Sequence, residues 1–401
     1  MTDRGRRLLW LIIAAGTVGR TVLAFATVGQ EFDIESLRLV AAQLDESPLE
    51  LYRIVNAGSD AGSIEILRWP YPPGYLPWAA AALALADATG LPFHGVVQLA
   101  PIAADAAIAW LVQDYLGARG ASERTRLGAV ALVALGPAFW LISGYHGQLD
   151  PVAILPAVAA VWAWERTPPA RRGLVAGALI GLGGAVKTVP LLVTLALLPS
   201  ARSFREAATL IGAAAAVPLL ALAPFLIADF DGASRALGGY SGAPGLGGIT
   251  MLLQPGLSRA VLTGDFPIEI DPLVQALYDN AAVIILLTLA AAAAVLARYR
   301  PAPAEGAALI WLGIYVTSPT FFAQYAVWGL PFMLMCAQLG RVALIQAVLL
   351  APTLLLYALP WEAGVATSAY VVAMAALWLL WVAALVAQAR AIRGTNLGPS
   401  R

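Results

Sequence analysis

Apolar runs long enough to cross a membrane constrain this chain more than any other feature. Such runs recur from residue 8 to residue 388, and a helix needs about 17 to 25 apolar residues to span the ~30 Å hydrocarbon core of a bilayer. Only 12% of the residues are charged, against about 25% in soluble domains. We therefore predict an all-α, polytopic membrane protein in which residues 1–401 form a single transmembrane helical bundle.

The distribution of basic residues predicts which chain segments lie on each side of the membrane. Most arginines lie at the chain ends or at short breaks between apolar runs, at positions 4, 6, 7, 119, 124, 126, 166, 171, 172, 202, 205, 298, 300, 341, 390, 393 and 401. The positive-inside rule places these breaks and both termini in the cytoplasm. Residues 30–73 and 229–280 then form external loops, and about twelve crossings satisfy this topology.

Two segments are too short or too broken to be ordinary crossings. Residues 75–86 are interrupted by Pro77, which predicts a short re-entrant or interfacial helix. Residues 173–199 must leave and rejoin the cytoplasmic side, which predicts a hairpin with Lys187 at its external tip, broken near Gly183, Gly184, Lys187 and Pro190. At membrane depth, such irregular backbone must be buried in protein.

The first external loop begins with an acidic amphipathic segment. Ile34, Leu37, Ala41 and Leu44 recur at helical spacing, which predicts a helix on the outer membrane surface that starts at Asp33. One interpretation makes Asp33 the N-cap of this helix. The other makes it a general base, because a carboxylate shielded by apolar helices has a raised pKa, suited to accepting a proton from an attacking hydroxyl.

A second polar cluster lies in the predicted external turn at residues 144–151. This turn brings His146, Gln148 and Asp150 close together in sequence, with more hydrogen-bonding side chains than a turn requires. The alternative is an ordinary Gly/Asp/Pro turn with a solvated histidine.

The sequence does not indicate a metal site. His94 and His146 lack the spacing of a zinc site, and a single cysteine excludes both a disulfide and a cysteine-based metal site. No pattern supports a divalent cation held by Asp33, Glu35 and Asp150. We therefore predict that the protein works without one.

Three charged residues lie inside apolar runs: Arg20, Asp105 and Lys187. Intramembrane charges are functional candidates by default, but Arg20 and Asp105 would equally form a structural ion pair between the first two crossings. Lys187 is predicted to face the same external cavity as Asp33 and His146, where a cation would hold a phosphate. The alternative for Lys187 is a side chain that snorkels to the interface.

Amide and aromatic side chains also gather near the outer end of the predicted ninth crossing, at Gln324, Tyr325 and Trp328. An interfacial aromatic belt would place the same residue types there. Both interpretations stay open for this segment.

Five motifs in this order resemble the GT-C superfamily of membrane glycosyltransferases, which use polyprenyl-phosphate sugars. They are Asp33 and Glu35 after the first helix; Tyr71, Pro72 and Pro73; His146, Gln148 and Asp150; Lys187 shortly before Pro190; and Gln324, Tyr325, Trp328 and Pro331. The resemblance covers about residues 8–340. The closest likeness is to the mannosyltransferases and glucosyltransferases of GPI-anchor and lipid-linked oligosaccharide assembly, and among them to mannosyltransferases that use polyprenyl-phosphate mannose.

The resemblance implies an external active site, a lipid-phosphate sugar donor and a single inverting displacement with Asp33 as the base. Cations would neutralise the charge that develops on the leaving phosphate, and the candidates are Lys187, Arg38, Arg68 and Arg235. The candidates for a second acid or for substrate binding are Glu35, His146, Gln148, Asp150, Gln324 and Tyr325.

The implied partners are a lipid-linked sugar donor, membrane lipids, and an acceptor hydroxyl on a glycolipid, a glycan or a protein. Nucleic acid is not an expected partner, and mannose is the expected sugar. One lysine among 24 basic residues, together with a high alanine content, indicates a GC-rich prokaryotic genome. We therefore expect a multi-pass protein of a bacterial plasma membrane.

The competing function is that of a transporter or flippase that moves a lipid-linked glycan without covalent chemistry. Such proteins place charges and broken helices near the bilayer midplane in two symmetric halves. Here the broken segments and polar clusters are predicted to collect at one face instead. A scaffold without catalysis is a third alternative, and sugar transfer that requires Asp33 would exclude both.

Overall fold

The computed structural model describes residues 1–54, 69–238, 242, 244–263, 268–357 and 365–395. The all-α prediction is confirmed, because these residues form helices and no strand. The helices of eight or more residues within these ranges are α1 (Asp3–Ala26), α2 (Glu31–Glu46), α3 (Leu76–Thr89), α4 (Leu99–Ala118), α5 (Glu123–Ala134), α6 (Asp150–Arg166), α7 (Pro169–Val186), α8 (Phe204–Ala228), α9 (Phe230–Gly238), α10 (Gly256–Thr263), α11 (Pro272–Asp279), α12 (Ala281–Tyr299), α13 (Pro303–Thr317), α14 (Leu339–Tyr357) and α15 (Val365–Thr395).

Seven helical segments of the described chain are long and apolar enough to cross a membrane, so the protein is a multi-pass integral membrane protein. They are α1, Phe93–Ala118, Glu123–His146, α8, α12, α14 and Thr367–Gly394. The predicted count of about twelve crossings requires five shorter segments to cross as well. Those segments are α6, α7, residues 189–200, α13 and residues 323–335, and the higher count stays a prediction.

Helix α13 lies inside the protein, whereas the longer helix α12 faces outward. Val283, Leu286 and Leu287 of α12 are exposed, as expected of a helix whose neighbours are lipid chains. By contrast, most residues of α13 are buried, and this helix packs between α12 and α15. A short or interrupted helix can lie at membrane depth only where protein covers its ends, and the burial of α13 meets that requirement.

The amphipathic helix expected after the first crossing is α2, but it begins at Glu31, two residues before the predicted start. Its buried face, which includes Ile34, Leu37 and Val40, packs against α3. Residues 55–68 of the first predicted loop, and residues 239–241, 243 and 264–267 of the second, lie outside the described residues. The external location of both loops stays a prediction.

The two irregular segments are helical, and whether they are re-entrant or interfacial stays a prediction. The short helix predicted for 75–86 is α3, which ends at Thr89 and is capped by Gly90 in a left-handed conformation. In the segment 173–199, α7 runs unbroken to Val186, so the break predicted near Gly183 and Gly184 is wrong. The chain then turns and returns as short helical turns from Val189 to Ser200. The turn therefore falls at Lys187, as predicted.

Candidate active site

Asp33 is the centre of the site. It lies in the first turn of α2, and its Oδ2 accepts hydrogen bonds from His146 Nε2 at 2.6 Å and from Gln148 Nε2 at 2.8 Å. A carboxylate only accepts hydrogen bonds, so Nε2 of His146 carries a proton in this contact. The N-cap interpretation of Asp33 is wrong, because Gln30 occupies the N-cap position and the Asp33 side chain is used for these distant contacts.

The second oxygen of Asp33 is available to a ligand. Oδ1 forms no hydrogen bond with the described part of the chain, and 33% of the side chain is exposed. That exposure opens into a pocket of about 230 Å³. The pocket is lined by Gln30, Phe32, Asp33, Ser36, Leu37, Trp69, Pro70, Tyr71, His146, Gly147, Gln148, Leu149, Leu246, Phe322, Gln324, Leu356 and Tyr357.

The pKa of Asp33 is lowered, not raised as the sequence led us to expect. Burial is the largest single effect and raises the pKa. The hydrogen bond and charge of His146, the hydrogen bond of Gln148 and the charge of Lys187 together outweigh burial, and they lower the pKa below its usual value. Asp33 is therefore a carboxylate at neutral pH.

A π-helical segment, Trp140–His146, brings His146 to Asp33. Gly147 then takes a left-handed φ of 83°, and its N–H donates to the carbonyl of Ile142 at 3.0 Å. A Cβ at Gly147 would lie less than 3.0 Å from the side chain of Ile34. Glycine at this position therefore lets the turn pack directly on α2.

A second buried cluster adjoins the first and centres on Asp150, the first residue of α6. Its Oδ1 accepts a hydrogen bond from Lys187 Nζ at 2.8 Å and another from Trp328 Nε1. Lys187 and Asp150 are both buried, so the snorkelling interpretation of Lys187 is wrong. Lys187 also lies 4.8 Å from the ring of Tyr71, which lines the pocket.

The segment after α13 contributes to both clusters. Gln324 lines the pocket and accepts a hydrogen bond from the hydroxyl of Tyr357. Tyr325 stacks on Trp328, with ring centroids 4.1 Å apart, and its ring lies 5.8 Å from Lys187 Nζ. Both residues therefore have specific contacts beyond those of an interfacial belt.

Other candidate residues lie away from the pocket. Glu35 pairs with Arg38 one turn along α2, and this contact lowers the pKa of Glu35. Arg235 is exposed on α9, and neither arginine is among the residues that line the pocket. Arg68 lies outside the described residues.

Sequence reasoning missed Tyr357 and Trp69, which both line the pocket. The ring of Tyr357 lies against His146, with ring centroids 4.1 Å apart. Tyr357 ends an apolar helix, where an interfacial tyrosine is common, so its sequence context gave no functional signal. Trp69 stands two residues before Tyr71, and that proximity to a motif was the available signal.

The described residues do not form a recognisable metal site. No group of three or more His, Cys, Asp or Glu side chains in these ranges could hold a metal ion. Independence from a divalent cation stays a prediction.

Comparison with known protein families identifies a match. The family model of glycosyltransferase family 87 matches residues 69–319, which is more than half of the chain. The matched region includes His146, Asp150 and Lys187, whereas Asp33 and Tyr357 lie outside it. No curated protein matches the chain.

Proposed function

The chain belongs to glycosyltransferase family 87, and from this premise we propose that it transfers mannose from a polyprenyl-phosphate donor to an acceptor hydroxyl, with Asp33 as the base. Family membership confirms the glycosyltransferase activity that the motifs implied. The enzyme therefore uses a sugar donor and an acceptor. The identity of the sugar, the lipid carrier and the role of Asp33 are parts of the proposal.

The arrangement of Asp33 carries this proposal. His146 and Gln148 both bind Oδ2, which fixes the plane of the carboxylate and leaves Oδ1 for the acceptor hydroxyl. The lowered pKa of Asp33 keeps the carboxylate ionised at neutral pH. A general base must be ionised and must lie within hydrogen-bond reach of the proton that it accepts. Asp33 is ionised, and its position at the pocket wall allows an acceptor to approach it.

The proposed reaction is a single displacement. The acceptor oxygen attacks the anomeric carbon from the face opposite the phosphate, and a C–O bond forms while the acceptor proton moves to Asp33 Oδ1. The bond between the anomeric carbon and the phosphate oxygen breaks, and polyprenyl phosphate leaves with the electron pair. The configuration at the anomeric carbon is therefore inverted.

Lys187 is the best-supported cation for the leaving phosphate. Its charge acts on Asp33 and lowers the pKa of that carboxyl, so the ammonium lies within electrostatic range of the reacting centre. Its present partner is Asp150, and a phosphate would share or take over that contact. Arg38 and Arg235 have less support because they are not among the residues that line the pocket.

The distribution of arginines supports the proposed location. If the arginine-rich breaks are cytoplasmic, α2 and the 146–150 turn lie at the external face of a bacterial plasma membrane, with both termini inside. A glycolipid, a glycan or a protein side chain could each present the acceptor hydroxyl there.

The test is transfer of label from radiolabelled polyprenyl-phosphate mannose to a membrane lipid extract by the purified protein in lipid vesicles. Asp33→Asn should reduce the transfer rate by about 10²–10⁴-fold. Glu31→Gln is the matched control, because it removes an exposed carboxylate from the same helical turn, and it should transfer at the wild-type rate.

Wild-type transfer that survives Asp33→Asn would reject Asp33 as the base. Movement of labelled donor across the vesicle membrane without a covalent product would favour a flippase. A product formed from a glucose donor but not from the mannose donor would correct the sugar and leave the reaction class in place.

A further inference from the structure

The helix that leads to His146 is broken inside the membrane segment Glu123–His146. α5 ends at Ala134, Gly136 is extended, and Pro137 begins the next helical turn. Proline lacks an N–H and disfavours the helical conformation at the preceding residue. The break therefore leaves carbonyl groups at the end of α5 without helical partners, and membrane lipid offers none.

Side chains from two other helices satisfy these groups, together with Trp140, whose Nε1 donates to the carbonyl of Ala134 at 2.8 Å. Arg20 of α1 donates from Nη2 to the carbonyls of Val133, at 2.8 Å, and Ala134, at 2.6 Å. Gln346 of α14 donates from Nε2 to the carbonyl of Leu132 at 2.9 Å, and its Oε1 accepts from the N–H of Ala138 at 3.2 Å. The break is thus bridged on both of its sides.

Close packing holds Arg20 in this position. Its Nη1 pairs with Asp105 of α4 at 2.7 Å, and both side chains are buried. The aliphatic part of Arg20 lies directly against Gly144, where any Cβ would be about 3.0 Å from it. Gly144 belongs to the same π-helical segment as His146, so Arg20 contacts both the break and the segment that follows it.

We propose that Arg20 and Gln346 are positioning residues that hold the broken helix so that His146 meets Asp33. The inference rests on the proposed function only in that His146 and Asp33 belong to the active site. Arg20 therefore does more than pair with Asp105 across two helices, because its Nη2 also binds the carbonyls at the end of α5. A pair of apolar side chains at positions 20 and 105 would fill the same space without unpaired charge. It would not restore the hydrogen bonds from Arg20 to the carbonyls of Val133 and Ala134.

The first test observes His146 without substrate. The chain has two histidines, so labelling histidine with ¹⁵N gives one ring to follow at His146 and one at His94, which His94→Gln assigns. Asp33→Asn provides the spectrum of a His146 ring that has lost its carboxylate partner. We expect Arg20→Met/Asp105→Leu and Gln346→Leu to move the His146 resonances toward that reference and to leave those of His94 in place.

The second test is kinetic. Both variants should lower kcat by about 10–100-fold and leave KM within about threefold, because misplacement by ~1 Å costs about 10²-fold in rate. Arg172→Met/Glu206→Leu is the control: it removes another buried ion pair, between α7 and α8, and should change neither the resonances nor kcat. Gln346→Leu introduces no unpaired charge, so it remains informative if the double variant fails to fold.

The proposal is overturned if His146 resonates as in the wild type in both folded variants, Gln346→Leu and Arg20→Met/Asp105→Leu. This holds whatever rate of sugar transfer the two variants show. If the wild-type protein transfers no sugar, the proposed function fails, and the resonances still decide whether Arg20 and Gln346 position His146.

Discussion

Lys187 Nζ lies 2.8 Å from Asp150 Oδ1, and both side chains are buried. The rings of Tyr71, Tyr325 and Trp328 surround the ammonium, with Nζ between 4.8 and 5.8 Å from their centroids. Cation–π contacts and a charged hydrogen bond thus replace the hydration that Lys187 gives up. Removal of Lys187 alone leaves Asp150 as a buried carboxylate without its cation.

Lys187→Met should therefore lower the free energy of unfolding by about 3–5 kcal/mol, whereas Lys187→Met/Asp150→Leu should recover most of that loss. The double variant should remain slow in sugar transfer, because the cation proposed to neutralise the leaving phosphate is gone. Denaturant unfolding in detergent, followed by tryptophan fluorescence, measures the first effect, and the transfer assay measures the second. Equal stability of the Lys187→Met variant and the wild type would contradict this account of the pair.

The pH dependence of kcat/KM should report the contact between His146 and Asp33. His146 lowers the pKa of Asp33 through its hydrogen bond and its charge, while burial raises that pKa. His146→Leu removes the lowering effects and keeps the burial, so the pKa of Asp33 rises. At a given acidic pH, less Asp33 is ionised, and the acid limb of the profile moves to higher pH.

The pH prediction has a control on the same helix. Glu35 is ionised beside Arg38 and is not among the residues that line the pocket. Glu35→Gln should leave the acid limb where it is in the wild type. A limb that moves with Glu35→Gln but not with His146→Leu would assign the titrating base to Glu35.

The sequence was sufficient to predict the membrane fold and the approach of two distant polar segments. Apolar run length depends on bilayer thickness alone, and arginine distribution placed Asp33 and His146 on the same predicted side. The contacts of the Asp33 carboxylate could not be predicted from the sequence. The N-cap and the active-site interpretations differ only in whether residues 146–148 come within hydrogen-bond distance of Asp33. The sign of its pKa shift depended on the same unknown neighbours.

The sequence also did not predict which face of a membrane helix points to the site, or where a helix departs from α-helical geometry. α14 is apolar on most of its surface, so its pattern does not indicate that Tyr357 faces His146. Pro137 signals a break in the preceding helix, but the pattern that follows does not predict the π-helical turns of Trp140–His146. Arg20, whose aliphatic carbons lie against Gly144 in those turns, comes from another helix.

Tyr357 offers a way to separate ring contact from hydrogen bonding. Tyr357→Phe keeps the ring on His146 and removes the hydroxyl that donates to Gln324, so kcat/KM should fall by no more than about tenfold. Tyr357→Leu removes the ring as well and should reduce kcat/KM further. Equal losses from the two variants in the transfer assay would show that the hydroxyl alone matters.

Gly29 should be required for the approach of α2 to the 140–146 segment. It has a left-handed φ of 79° between α1 and α2, and a Cβ there would lie less than 3.0 Å from the carbonyl oxygen of Tyr145. That atom belongs to the main chain, so relief requires α2 and the π-helical segment to move apart. Asp33 and His146 lie on these two elements, and their 2.6 Å contact should lengthen.

Gly90→Ala is a matched control for Gly29→Ala. Gly90 has a φ of 71°, and a Cβ there would meet nothing within 4 Å. Both variants carry the strain of a left-handed alanine, about 1–2 kcal/mol, which denaturant unfolding would measure in each. Only Gly29→Ala should also lose about 100-fold in kcat/KM. If both variants transfer sugar at the wild-type rate, the close approach of Gly29 to Tyr145 does not hold the site together; equal losses in both would assign the effect to backbone strain.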